Sequence, residues 1–477
     1  MRSFPAARLQ FGACFAICLC AMWVSPAARA ADSQPRPNVL FIAVDDLNHW
    51  VGHLGRNKQA KTPQLDRLAK LGVTFTHAYC AAPVCNPSRA ALMSGMRPGA
   101  TGVYSNGDDW RPVVAQDLTL LSTFRHAGYR VTGAGKIYHG AYERDSEWDD
   151  YLHSKGGPHP TKPIAVPPIS GFGPADAPDS EWSDYKSVDY GIAELSKEHA
   201  APFFLAVGLH KPHMPWSVPR KYFDMHPLES IELPPTRADD LDDVPSGGLE
   251  MARANEHERI VASGHWKAAV QAYLAAGSFA DAQIGRLLDA LENAPERDNT
   301  IVVLWGDHGW HLGEKHHWRK FALWEEATRA PLIWIVPGVT QPGTRCDRTV
   351  DFMSIYPTLC DLCGIKIPQH VQGRSIRSLL ADPASDWKSP AITTFGQNNH
   401  AVRSEGWRYI RYADGGEELY DEAQDPYEWT NLAADAKHAQ TKADLQAQLP
   451  TQNEPNADGK KNKREAKRAR RQAKSNP

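Results

Sequence analysis

The chain has 477 residues, 42% of them hydrophobic and 23% charged, and a formal net charge of −3 at pH 7. A balance so close to neutral gives no reason to expect nucleic acid as a partner. Of its eight cysteines only five lie beyond residue 30, too few to staple a chain of this length, so the fold must rest on its apolar core.

Residues 1–30 carry Arg2 and Arg8, an apolar stretch over 11–24, and Ala28-Arg29-Ala30 before Ala31. This is the pattern of a secretory signal peptide cleaved after Ala30. The apolar stretch is shorter than the ~20 residues a membrane span needs. No later segment is long enough either, so an exported protein is expected: periplasmic or secreted, or of lysosomal type if the source is eukaryotic. Cleavage removes three cysteines and leaves Cys80, Cys85, Cys346, Cys360 and Cys363. If Cys85 is modified, the other four have the option of pairing. Cys360 and Cys363 read as one inward face of a short helix over 354–363, since no second ligand pair follows at zinc-site spacing.

Asn38–Val44 is a near-continuous apolar run ending in Asp45-Asp46, which predicts a buried parallel strand delivering carboxylates at its end. Thr62 and Pro63 start a helix as N-cap and first turn, Leu65, Leu68 and Leu71 give its apolar stripe, and Gly72 stops it. Cys85-Asn86-Pro87-Ser88-Arg89-Ala90-Ala91-Leu92-Met93-Ser94-Gly95 follows, with a second helix beginning near Ser88. A helix N-terminus there favours negative charge beside Cys85. Further buried strands are predicted at 129–133, Phe203–Leu209, 301–305 and 332–336, alternating with helices near 118–127 and 266–293. That alternation predicts an α/β fold: a large, mainly parallel mixed sheet sandwiched by helices. Proline and glycine make 156–178 an irregular excursion, and 236–264 reads as polar loop. From about 368 the character changes to short strands at 392–395, 407–412 and 418–420, a smaller C-terminal antiparallel sheet. The expected organisation is therefore signal peptide 1–30, catalytic α/β domain 31–367, C-terminal subdomain 368–436, and a disordered tail 437–477 that is dense in Lys and Arg over 460–474.

Chemistry gathers at the predicted strand ends. Asp45 and Asp46 end one strand, and Gly306-Asp307-His308-Gly309 ends another. Oxygen ligands of this kind suit calcium or magnesium, while His308 keeps zinc open. Gly135-Lys136-Ile137-Tyr138-His139-Gly140 offers a cation and a base three residues apart. His210-Lys211-Pro212-His213-Met214-Pro215 ends the strand Phe203–Leu209. After Asp307 come three basic candidates, Lys315, Arg319 and Lys320.

The string from Cys85 to Gly95, C-x-P-S-R-x-x-x-x-S-G, resembles the signature of type I sulfatases, the formylglycine-dependent branch of the alkaline phosphatase superfamily. The H-K-P-H-x-P string and the lysine after D-H-G are most similar to the iduronate-2-sulfatase branch, and the resemblance runs from Pro37 to about Leu432, including Glu418-Leu419-Tyr420-Asp421. It implies an alkaline-phosphatase-like fold. It also implies that a formylglycine-generating maturation enzyme oxidises Cys85 to an aldehyde whose hydrate is the nucleophile, before folding buries the cysteine. One Ca2+ would be held by Asp45, Asp46, Asp307, His308 and an oxygen of residue 85, although many members carry Asn where His308 stands.

The resemblance further implies that Arg89, Lys136 and Lys320 offset the sulfate charge, that His139 takes a proton from the spare hydroxyl, and that His213, rather than His210, protonates the leaving oxygen. The implied substrate is an O-sulfated uronic acid, a 2-O-sulfate above all, in a polysaccharide or oligosaccharide. Asn106, Trp110, Arg111, His210, Trp310, Asn398 and His400 are the residues expected to line its pocket, tryptophan being a common sugar platform. Three other readings stand beside this one: another sulfated glycan or small sulfate ester as substrate, phosphatase or phosphodiesterase chemistry on the same fold, and a sulfated-glycan binder if Cys85 stays a thiol. The sequence names no oligomeric state.

Overall fold

In the computed structural model, residues 36–140 and 142–457 are described. The predicted signal peptide and the Lys/Arg-rich stretch 460–474 lie outside the described residues.

The strand Asn38–Val44 (β1) is buried along its whole length because it has a parallel neighbour on each side. Such a strand has no solvent face and therefore reads as an unbroken apolar run. The main sheet adds Val73–Tyr79 (β2), Arg130–Gly135 (β3), Asp150–Leu152 (β4), Phe203–Leu209 (β5), Thr300–Gly306 (β6), Leu332–Ile335 (β7) and Thr344–Asp351 (β8), in the spatial order β8-β2-β7-β6-β1-β5-β3-β4. Val39 pairs with Phe204 on one side and Ile301 on the other. The strand expected at 332–336 is present but runs antiparallel to both β6 and β2, which makes the sheet mixed.

Alternate β1 residues feed two helical layers. Leu40, Ile42 and Val44 pack with Leu65 and Leu68 of α1 (Pro63–Leu71), Val188 of α4 (Ser183–Leu195) and Ile284 and Leu287 of α5 (Trp266–Glu292). Val39, Phe41 and Ala43 share a cluster with Ala90 and Leu92 of α2 (Cys85–Ser94) and with Leu120 and Phe124 of α3 (Leu120–His126). Phe41 lies 5.6 Å from Phe204 and 5.7 Å from Trp305, centroid to centroid. Each such side chain contributes about 1.5–3 kcal/mol through burial.

Several expectations need correction. Thr62 precedes α1 but does not cap it, since its hydroxyl accepts from the Gly52 amide. Asp281 of α5 caps instead, accepting from Gln64 N (3.0 Å) and Leu65 N (2.7 Å). Leu71 faces outward. The 156–178 excursion contains the antiparallel pair Ile164–Val166 and Ile169–Ala175, and 236–264 contains the helices Ser246–Ala252 and Ala254–Ala262. All five described cysteines are free and buried, so no pairing of Cys80, Cys346, Cys360 and Cys363 occurs.

The C-terminal strands Ala391–Thr394 (β9), His400–Arg403 (β10), Trp407–Arg411 (β11) and Glu417–Asp421 (β12) form an antiparallel sheet. Thr394 N donates to Ala81 O at 2.9 Å and Thr393 Oγ1 to Cys80 O at 2.6 Å, fixing this sheet against the segment that leads into α2. Disorder from residue 437 does not hold for the described part: Ala439–Gln446 is helical, and Glu454 N and Ala457 N donate to Gly99 O and Gly102 O.

Candidate active site

Because β1, β5, β6 and β3 are parallel neighbours, the residues after each strand emerge on one rim, where open α/β sheets place their sites. Asp45 N donates to Leu209 O and Asp307 N to Val44 O, both at 3.1 Å, so the pairing continues into the acidic residues themselves. Asp46 then turns through φ 57° and donates its amide to Asp307 Oδ1 at 2.9 Å. Lys136 follows β3 and donates to Gly208 O.

α2 begins at Cys85, and all ten of its residues are buried. Asn86 anchors this turn: its amide donates to Asn106 Oδ1 (3.0 Å) and its Nδ2 to Ser105 O and Asp108 O. Ser88 Oγ donates to Asp307 O at 2.5 Å, joining α2 to the end of β6.

The Cys85 sulfur lies 2.7 Å from Lys320 Nζ, 3.4 Å from His308 Nε2 and 3.8 Å from Asp46 Oδ1. Lys320 Nζ also donates to Asp46 Oδ1 at 2.6 Å, and Lys136 Nζ is ion-paired with Asp45. His308 turns Nδ1 to Gly309 O at 2.9 Å, which leaves Nε2 facing the acidic cluster. His213 stands at the open side with Nε2 3.9 Å from Asp46 Oδ2, Nδ1 held by Met214 O at 2.5 Å, and 35% of its side chain exposed.

Arg89 departs from its expected place against a sulfate. It is wholly buried and spends its donors on Asp307 Oδ2 (2.9 Å), Asp45 Oδ1 (3.3 Å), Ile137 O (3.0 Å) and Lys136 O. It therefore braces the carboxylates and the β3 end. Of the three basic candidates after Asp307, only Lys320 meets the cluster. Lys315 is paired with Asp240 (2.9 Å) and the Glu428 carbonyl, and Arg319 with Glu256. His139 is partly buried, its Nδ1 has no hydrogen-bond partner, and no described hydrogen bond or ion pair links its ring to Cys85.

The expected pocket residues separate. Trp110 is core, stacked on Tyr138 at 5.0 Å under the Arg144 guanidinium. Trp310 is buried 5.9 Å from Trp216, though Lys320 Nζ stands 5.5 Å over its ring. Arg111 is taken by Asp109 (2.8 Å), and Asn106 anchors α2. His400 is buried in β10 with Nδ1 on Thr394 Oγ1, and Asn398 is exposed at φ 66°. His210 approaches Asp184 (3.4 Å) rather than the cluster.

Sequence reading missed two organisers. Asp184 accepts from the amides of His210 and Lys211, both at 2.8 Å, which shapes the turn carrying His213. Tyr273 of α5 donates to Asp46 O (2.8 Å) and accepts from Asn48 N (2.9 Å). Neither residue belongs to a local motif, and only tertiary contact brings it to the rim.

The electrostatics follow from burial and mutual charge. Burial and Asp45 push the Cys85 thiol up, but Lys136, Lys320 and His308 outweigh them and hold it well below its ordinary range. Burial likewise opposes the Asp45 carboxylate, yet Lys136, His213 and Arg89 keep it ionised. Asp307 rises to about 7 through burial and its neighbour Asp45, against His308 and Arg89. Burial disfavours the charged form of His213, but Asp46 and Asp45 prevail and raise it.

Ligand atoms of Asp45, Asp46, Cys85 and His308 all lie within 4.8 Å of one another, and Asp46 Oδ2 is buried without a hydrogen-bond partner. Two buried carboxylates, one of them with an uncommitted oxygen, fit a hard divalent cation. Asp307 stands just outside that set, with Oδ1 on the Asp46 amide and Oδ2 on Arg89.

A large mixed sheet flanked by helices, with a small antiparallel C-terminal sheet, is the architecture of the alkaline phosphatase superfamily. The chain matches the sulfatase family model over residues 37–365 and the N-sulphoglucosamine sulphohydrolase C-terminal model over 313–455, and it belongs to the sulfatase family. It is a sulfuric ester hydrolase. A sulfatase of Formosa agariphila is 40% identical over 465 residues, covering 92% of this chain and 91% of that protein. The iduronate 2-sulfatase of Homo sapiens is 30% identical over 389 residues, covering 69% and 70% respectively. Among solved structures, a 2-O GAG sulfatase superposes with a TM-score of 0.69 at 25% identity, covering 86% of this chain and 90% of that one.

Proposed function

We propose that this enzyme removes 2-O-sulfate from uronic acid residues of a sulfated polysaccharide, with Cys85 converted to formylglycine beside one Ca2+. The observation that carries the reading is the Cys85 sulfur itself, buried at a helix start and within 4 Å of Lys320, His308 and Asp46. The 2-O position is supported by relatives whose names specify it, the human iduronate 2-sulfatase, a Delta 4,5-hexuronate-2-O-sulfatase and a 2-O GAG sulfatase among them.

Asp45, Asp46, His308 and Asp307 would hold the cation together with residue 85. A thiolate in that set invites softer metals, whereas an oxygen at residue 85 makes the set suit calcium. When bound, the cation and the hydrated aldehyde supply a Lewis acid and a nucleophilic hydroxyl.

The chain's own residues do the rest. Lys136 and Lys320 place ammonium groups where the sulfate oxygens bring negative charge, and Arg89 keeps the carboxylates in register from behind. His213 has Nδ1 committed to Met214 O, which points Nε2 at the rim, where it delivers a proton to the departing sugar oxygen. His139 offers an unpartnered nitrogen as proton acceptor.

Export fits the N-terminal pattern. No helix among the described residues is long and apolar enough to cross a membrane.

Mass measurement of the peptide containing Cys85, followed by assay of the converted enzyme on defined sulfated oligosaccharides, tests the reading. Cys85→Ala is expected to abolish sulfate release, and chelation to suppress it reversibly on calcium return. Substantial turnover by Cys85→Ala would overturn the assignment.

A further inference from the structure

The backbone around Lys320 is unusual. Lys315, His316, Arg319 and Phe321 all have positive φ, at 54°, 48°, 75° and 81°. Left-handed backbone is costly for such side chains and persists where the surroundings impose it, often at working sites. Two of these residues flank Lys320 directly. Phe321 N donates to Pro83 O at 3.3 Å, tying the loop to the segment that leads into Cys85.

The Phe321 ring is partly exposed and gathers cations. Lys320 Nζ lies 5.9 Å from its centroid, the Arg319 guanidinium 5.4 Å and the Arg253 guanidinium 5.9 Å, while Phe395 stands 6.1 Å away. These cations differ in how they are satisfied. Lys320 is committed to Cys85 and Asp46, and Arg319 donates a single nitrogen, Nη2, to both Glu256 oxygens at 2.7 and 2.9 Å. Arg253 reaches Glu256 only at 4.0 Å and keeps 47% of its side chain exposed. It too has positive φ, 51°, at the break between the helices Ser246–Ala252 and Ala254–Ala262. A single carboxylate thus faces two guanidinium groups, and the surplus positive charge sits at the open edge of the ring that borders Lys320.

We infer that Arg253, backed by Phe321 and Arg319, forms the subsite for the carboxylate of the uronic acid that carries the sulfate. The inference rests on the proposed substrate class and assigns its acidic group to a named cation. A guanidinium fork matches a carboxylate in geometry and charge. The neighbouring ring supplies an apolar face for the sugar.

The test uses a 2-sulfated uronide and its methyl ester, which lacks the carboxylate charge, on the full converted enzyme, with the released sulfate measured directly. The wild type is expected to prefer the free acid. Arg253→Gln should raise KM for the acid about tenfold with kcat little changed, so that the acid-to-ester ratio of kcat/KM falls about tenfold, while Arg253→Lys recovers part of it. An Arg253→Gln enzyme with the wild-type acid-to-ester ratio would overturn the subsite. A wild type that hydrolyses other sulfate esters but not the acid would instead overturn the substrate reading, and the subsite with it.

Discussion

Lys320 holds its ammonium nitrogen 2.7 Å from the Cys85 sulfur while bonding Asp46 at 2.6 Å, so one cation serves both the proposed nucleophile position and a carboxylate of the acidic cluster. Those neighbours raise its own pKa despite burial, and it stays charged throughout the working range. Lys320→Ala is expected to lower kcat/KM for a sulfate ester by about 10²–10³-fold, the scale for losing one preorganised charge-stabilising group. Lys320→Arg should not rescue it, because the planar guanidinium does not fit where a compact ammonium sits. A loss below tenfold would remove Lys320 from this role.

Among the described residues, the four thiols other than Cys85 should be inert in the native protein. Burial pushes Cys346 and Cys363 up to about 11, Cys360 to about 12, and Cys80 well above its ordinary value. Titration with a thiol reagent at pH 8 is expected to find no fast native reaction. After unfolding, protein that begins at Ala31 should give four equivalents when converted and five when unconverted. Prompt native labelling of Cys360 or Cys363 would contradict their inward packing.

Arg408 is the hub of a buried charge cluster between the C-terminal sheet and the Lys320 loop. It meets Glu428 at 2.5 Å and Glu422 at 3.1 Å, pairs with Glu325, and donates to Leu323 O at 3.0 Å. Removing one partner from such a cluster leaves uncompensated buried carboxylates, so Arg408→Met should destabilise by about 3–5 kcal/mol. Denaturant unfolding reads the change. An unaltered midpoint would mean that the carboxylates protonate without cost.

Asp281 gives a pH dependence with a definite sign. Burial pushes its carboxyl up to about 7, although the Leu65 and Gln64 amides oppose the rise. Its folded pKa thus exceeds its unfolded value of about 3.9. The contribution is complete below about pH 4 and is lost as pH rises through 7, a few kcal/mol at most. Asp281→Asn keeps an acceptor for the helix amides and cannot titrate. Its melting temperature relative to wild type should therefore be higher at pH 8 than at pH 5. An equal difference at both pH values would refute the buried titration.

Much of the rim was readable because its strands are buried on both faces: β1, β5 and β6 appear as apolar runs whose ends carry Asp45, His213 and Asp307. β2 was not readable. Its Val-Thr-Phe-Thr-His-Ala-Tyr mixes Thr74, Thr76 and His77 into the run, and its burial comes from β7 and β8 hundreds of residues away. α4 escaped for a related reason, since its Ser-Asp-Tyr-Lys opening shows no apolar stripe, although Asp184 in its first turn organises the His213 turn. Among the site residues, spacing alone left Lys315, Arg319 and Lys320 equivalent, and only tertiary pairing separates them. Trp110 and Trp310 look like sugar platforms in sequence, because a loop tryptophan carries no local sign of what covers it, yet both are buried.

The register of β1 bears on how this protein comes to exist. Val39 pairs with Phe204 and Ile301, so the central strand acquires its two partners only once the chain has been synthesised past these distant residues. Such distant contacts make closure of the sheet slow. In the folded chain Cys85 is wholly enclosed, so the conversion proposed for it would have to precede closure of the sheet. On that reading, the order in which the strands meet sets the time open to maturation. A variant that accelerated sheet closure would be expected to yield a larger share of molecules that are well folded and permanently inactive.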